Sequence, residues 1–181
     1  MTPQRLGRIA GLFYALNFVL GILSLVWLKQ GRMAASEQLT VAAAAEYAIV
    51  ILLLARLFEP AGRALSWGVA AIGILGCILS AAGPLHLFTS PVNALAVFGL
   101  YCIGLGTLIV LSRLTATIIG ALLMLGGFAW LTFASPTLAH SVAPYNMAAG
   151  AIAELILTLY LILFGVRAAA NTASPPVSLA A

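Results

Sequence analysis

Six apolar stretches of near-membrane length follow one another along this chain, and they constrain its fold more than any motif does. An α-helix needs about 20 predominantly apolar residues to cross the hydrocarbon core of a bilayer. The first stretch covers residues 6–28 and stops at the polar turn Lys29-Gln30-Gly31-Arg32. The second covers 38–58 and closes at Glu59-Pro60, where proline cannot continue the backbone ladder. The third covers 65–85 with Gly83-Pro84 at its end, and the fourth starts beyond Ser90-Pro91 and runs to 111. The fifth covers 116–134, a turn-rich loop spans 135–144, and the sixth covers 145–166.

None of these runs alternates apolar and polar residues as the strands of a membrane barrel do. Helices satisfy their own backbone groups in lipid. The expected fold is therefore all-α: a polytopic membrane bundle of six transmembrane helices, forming one domain over 1–168. The remainder, 169–181, is small, contains a Pro-Pro pair and is expected to be disordered. The fourth-to-fifth connection is very short, which makes those helices antiparallel neighbours.

Composition agrees. Charged residues make up 7% of the chain and hydrophobic residues 64%, whereas a soluble domain carries roughly 25% charged residues. The excess apolar surface must face lipid. The formal charge of +4 comes from basic residues scattered singly between apolar runs. That is the pattern of loop anchors rather than of a nucleic-acid patch, so nucleic acid is excluded as a partner. Arg5 and Arg8 precede an apolar run longer than the roughly 7–15 residues of a cleaved signal core, so the run is read as a retained first span.

Orientation follows from the Lys and Arg residues. Arg5, Arg8, Arg56, Arg63, Arg113 and Arg167 fall on one side, and Lys29 and Arg32 on the other. Positive residues concentrate in the cytoplasm, which puts both termini there, as an even number of spans requires. Trp27 and Trp130 near the outer ends, and Trp67 near an inner end, are placed as interfacial anchors. The expected location is a cell inner (plasma) membrane, crossed several times. The expected partners are the lipid bilayer, and a second copy of the chain or another membrane protein.

The four acids are Glu37, Glu46, Glu59 and Glu154. Glu37 and Glu59 fall at span ends, where a solvated charge needs no special account. Glu46 and Glu154 each lie about two and a half turns inside a span, at similar depth in the outer half of the bilayer. Insertion scales assign an acid at the helix centre a cost of roughly 2.5–3.5 kcal/mol, so such groups face the bundle or a wet cavity. Small residues precede both by three and four positions, Ala42 and Ala43 in one case and Gly150 and Ala151 in the other, which permits close helix approach. At least one of the two is expected to be protonated or hydrogen-bonded at neutral pH.

Asn17, Tyr101 and Thr158 are the polar residues placed to join them in a candidate intramembrane site. Tyr14 lies one turn nearer the cytoplasm than Asn17, Tyr47 follows Glu46, and Asn146 is near the outer mouth. Cys77 and Cys102 sit in mid-span without a CxxC or CxxCH pattern and read as packing residues. His86 and His140 lack metal-ligand spacing to a partner. No metal or cofactor is implied, and there is no P-loop, GxSxG or HExxH.

The stretches RIAGLFYALNFVLG, FGLYCIGLGTLIVLSRL, IIGALLMLGGFAWL and AELILTLYLILFGV resemble those of the small bacterial membrane proteins grouped as domain of unknown function 4386. The resemblance covers nearly the whole chain and implies a six-helix integral membrane protein. It implies no activity and transfers no catalytic residue. Related chains often carry an arginine in the third span where this one has Gly73, which removes a basic partner for a buried acid.

Motif poverty favours a non-enzymatic bundle with a structural, sensing or accessory role. Two alternatives use the glutamates. One is a small proton- or cation-coupled transporter working through Glu46 and Glu154. The other is an intramembrane enzyme acting on a lipid or isoprenoid, with the two carboxyls as acid and base.

Overall fold

The computed structural model of the chain describes residues 1–88 and 90–166, and the expected tail 169–181 lies outside them. Helix α1 (Pro3–Lys29) opens with Thr2, whose hydroxyl accepts from the Arg5 amide at 3.4 Å, and with proline at its first position. Proline has no N–H to leave unsatisfied there. Helix α2 (Met33–Phe58) runs into a 3-10 turn (Glu59–Ala61), and Gly62, at φ +146°, turns the chain into α3 (Arg63–Ala82). Helix α4 (Ala94–Ser112) is capped by Asn93, whose Oδ1 accepts from the Leu95 amide at 2.9 Å. Helix α5 (Thr117–Leu131) continues as a 3-10 turn (Thr132–Ala134); a short α6 (Pro136–Ser141) and then α7 (Tyr145–Phe164) complete the chain.

Of these seven helices, all but α6 are long and apolar enough to cross a membrane, and no strand occurs among the described residues. Several boundaries differ from the sequence expectation, and three have a local cause. Helix α2 starts at Met33 rather than 38, because Ser36 and Thr40 hydrogen-bond to Ser24 of α1 and hold an extra turn in place. Helix α3 ends at Ala82 rather than 85, just ahead of Gly83-Pro84. The turn-rich loop 135–144 contains α6, started by Ser135 and Pro136.

Each of the six long helices packs against two neighbours, so they close into a ring in the order α1, α2, α3, α4, α5, α7 and back to α1. Every neighbouring pair is antiparallel. Asn17 and Ser24 of α1 meet Ala43 and Ser36 of α2 in reverse order. A side chain added at Gly7 or Gly11 of α1 would meet Gly165 and Leu161 in the α7 segment. The tightest pair is α4 with α5. A Cβ at Gly99 would lie 2.7 Å from the Gly127 carbonyl, and one at Gly127 would lie 2.7 Å from the Gly99 carbonyl. In lipid, where the apolar driving force between helices is absent, such backbone approach and its dispersion contacts hold helices together.

The inside of the ring is divided along its axis. Towards the end where α1 begins and α7 ends it is filled by Val50, Leu54, Phe58, Leu105, Leu108, Ile109, Leu157 and Leu161, all fully buried. Towards the other end it holds Tyr14, Tyr47, Tyr101, Glu46 and Glu154. Leu12, Val19, Ile22, Leu52, Leu125, Phe128 and Leu163 lie exposed on the outside of the ring, as a lipid-facing surface requires.

Candidate functional site

Glu154 of α7 is the centre of a hydrogen-bond network that draws on four other helices. The Trp130 indole of α5 donates to its Oε1 at 2.7 Å, and the Tyr14 hydroxyl of α1 donates to its Oε2 at 2.7 Å. The Cys102 thiol of α4 donates weakly to Oε1 at 3.7 Å. An indole N–H can only donate, and a phenol has a single O–H. With its hydrogen on Glu154, Tyr14 must accept from the Tyr47 hydroxyl of α2, 2.9 Å away. The chain of donation therefore runs Tyr47 to Tyr14 to Glu154. Every group around the carboxyl is a donor, which is the arrangement an ionised carboxylate needs.

Local packing explains why the donors point there. Gly150 lies one turn before Glu154, and a side chain at that position would collide with the Trp130 ring. The glycine thus leaves the space through which the indole reaches the carboxyl. Trp130, expected as an interfacial anchor, turns inward instead. On the opposite side Tyr14 stacks on Phe18 with ring centroids 5.9 Å apart, and Tyr47 meets Phe98 edge-on at 5.4 Å. Rings packed against neighbouring rings are restricted in where their hydroxyls point.

Glu46 of α2 has different surroundings. It is 8% exposed, and both carboxyl oxygens are shielded from solvent with no hydrogen-bond partner. Asn17 lies on the facing side of α1, but its amide donates to the Ala43 carbonyl at 2.9 Å, three residues before Glu46. No hydrogen bond joins Glu46 to Glu154 among the described residues. Tyr47, the residue after Glu46, belongs to the Glu154 network, while Glu46 itself stays outside it.

The other candidate residues divide similarly. Thr158 is buried, and its hydroxyl donates to the Glu154 backbone carbonyl of its own helix at 2.8 Å, not to the carboxyl. Tyr101 is buried with its ring edge-on to Tyr47 at 6.1 Å, and its hydroxyl has no partner. The space beside Gly73 is taken by the Tyr101 ring and Ile51. Asn146 donates to the Thr132 hydroxyl at 3.0 Å and the Ala139 carbonyl at 3.3 Å, tying α7 to the segment around α6. His86 and His140 are exposed. No group of three or more His, Cys, Asp or Glu residues is placed to hold a metal among the described residues.

Sequence reasoning placed Glu154 inside the bundle but missed Trp130 and Cys102 as its partners. A tryptophan near a span end is ordinarily an anchor, and a lone cysteine in an apolar run is ordinarily packing. The usable signal was the pairing of a large ring in one span with a glycine in another, but the facing of α5 and α7 is a tertiary fact.

No curated protein and no solved structure matches the chain. A family model described as "Domain of unknown function (DUF4386)" matches residues 92–165. That segment runs from just before α4 to the end of α7 and holds Cys102, Trp130 and Glu154, and over it the chain is similar to the DUF4386 family.

Proposed function

We propose that this chain is a non-enzymatic integral membrane protein, a six-span bundle with both termini cytoplasmic in a bacterial inner membrane. In this reading Glu154 is the structural clasp that closes the ring. The observation that carries it is the engagement of both Glu154 carboxyl oxygens by donors from α1, α4 and α5. A substrate at this carboxyl would have to compete with those donors. Interhelical hydrogen bonds in membranes average about 0.6 kcal/mol and reach about 1.7, and several converge on this one residue.

An acid–base pair for lipid or isoprenoid chemistry would need both carboxyls at one reacting group. Glu154 is committed to protein donors, and no hydrogen bond links it to Glu46. A carrier using both glutamates draws no support from Glu154 for the same reason.

Two measurements test the proposal. Reporter fusions at both termini should be active only on the cytoplasmic side. Glu154→Gln keeps an acceptor for Trp130 but exchanges the second oxygen for an amide; its defect should appear as lowered resistance to unfolding in mixed micelles. A variant with wild-type stability that loses proton flux in proteoliposomes would sink the clasp and favour the carrier.

A further inference from the structure

The ring contains one acid that its own partners do not explain. Glu46 sits mid-way along α2, is 8% exposed, and has two solvent-shielded oxygens that no donor reaches. The elements packed against α2 supply no positive charge. Helix α1 presents Asn17, a neutral amide with one of its two hydrogens on Ala43, and Tyr14, whose single hydrogen is on Glu154. Helix α3 runs antiparallel to α2, with Ile51 against Gly73. That register sets Cys77, a free buried thiol, at the level of Glu46. Helix α4 offers Tyr101, whose hydroxyl is itself unpartnered, and Cys102, engaged with Glu154. On α2 itself the neighbouring group is Tyr47, which belongs to the Glu154 network. Every Lys, Arg and His among the described residues is exposed.

An ionised carboxylate in such a place lacks both a counter-charge and hydrogen bonds, and that combination is strongly disfavoured in a low-dielectric interior. The missing charge must come from a small cation. An alkali ion needs several oxygen ligands, and of the side chains nearby the Cys77 thiol offers none and the Asn17 amide a single neutral oxygen. A proton needs one oxygen and no further ligand. We propose that Glu46 is a proton-binding site: a dissociable carboxylic acid held inside the α1–α2–α3 corner of the ring and separate from the Glu154 clasp. The inference is independent of whether Glu154 serves as a clasp.

Infrared difference spectroscopy on the full chain in liposomes tests this directly. A carboxylic acid has a carbonyl stretch well separated from the bands of a carboxylate, and it shifts in deuterated water. The spectrum of wild type minus Glu46→Gln at neutral pH should show the loss of one acid band. The wild-type band should give way to carboxylate bands as pH is raised, and sodium chloride at fixed pH should leave it unchanged. Loss of carboxylate bands instead would overturn the proposal. If those bands depend on sodium, the site takes an alkali ion; if they do not, Glu46 is solvated or paired. Should Glu46→Gln fail to fold, wild type carrying 13C at its glutamate carboxyls decides the matter. Absence of an isotope-shifted acid band refutes a protonated Glu46, and a band that persists in Glu154→Gln supports it.

Discussion

Glu154 and Glu46 occupy adjacent parts of one ring and have opposite surroundings. Around Glu154, α1, α4 and α5 each turn a donor toward the carboxyl. Around Glu46, the facing Asn17 amide gives one of its two hydrogens to a backbone carbonyl, and neither carboxyl oxygen accepts a hydrogen bond. Burial alone therefore does not say what an intramembrane acid does. A buried acceptor ringed by donors contributes to cohesion, because removing it orphans each donor. A buried acid without donors contributes none of that, and its presence needs another cause.

The largest expected effect is at the better-connected residue. Glu154→Ala takes the acceptor from the Trp130 indole and the Tyr14 hydroxyl together. Each orphaned group costs about 1–3 kcal/mol, and with partial rearrangement the loss should be about 3 kcal/mol. Unfolding in mixed micelles, followed by circular dichroism, measures it. A loss below about 1 kcal/mol would mean that the network is not what holds α7 in the ring, and the contrast with Glu46 would collapse.

Gly150→Ala reaches the same clasp through packing. The added methyl collides with the Trp130 ring, and overpacking of this kind costs about 1–3 kcal/mol. The substitution should also move the indole off Glu154. In a variant keeping Trp130 as its only tryptophan, the emission should change with the alanine. Unchanged emission and stability would show that Trp130 has other room, and that Gly150 does not set the geometry.

The tyrosines test the direction of donation. Tyr14 both donates to Glu154 and accepts from Tyr47, so Tyr14→Phe breaks two bonds and should cost about 1–2 kcal/mol. Tyr47 stands at the end of the chain, so Tyr47→Phe breaks one bond and should cost about 0.6 kcal/mol. The double variant should cost no more than Tyr14→Phe alone, since the Tyr47 bond is already lost there. A strictly additive double variant would mean that the two hydroxyls act separately.

How much of this could be read from the sequence differs between fold and site. The six spans were legible because length and apolarity are set by bilayer thickness, and turns such as Gly83-Pro84 stop a helix wherever it packs. The early start of α2 was not, because it depends on Ser24 in another helix. The inward placement of Glu154 was legible from the cost of exposing an acid to lipid. Its partners were not: Trp130 reaches the carboxyl only because α5 and α7 meet at Gly150. Thr158 and Asn17 were expected as side-chain partners of the acids. Both instead use backbone carbonyls, an outlet open to short polar side chains in a helix.

The smallest effect is expected at Glu46, and its smallness is informative. Glu46→Gln keeps the shape and one carbonyl oxygen while removing the dissociable group. It breaks no hydrogen bond, because none is made. If the native carboxyl is already a neutral acid, the exchange is one neutral polar group for another, and stability should move by no more than about 0.5 kcal/mol. Glu46→Met goes further and removes the buried polar group altogether. Replacing a buried charged or polar group by an apolar one of similar volume is often neutral or stabilising, so Glu46→Met should unfold no more easily than wild type. A chain that carries an acid in mid-span without gaining cohesion from it keeps that acid for something other than the fold. Destabilisation by both variants of more than about 2 kcal/mol would reverse the argument. Glu46 would then have a partner in the bilayer, and the two glutamates would be two clasps rather than a clasp and a proton site.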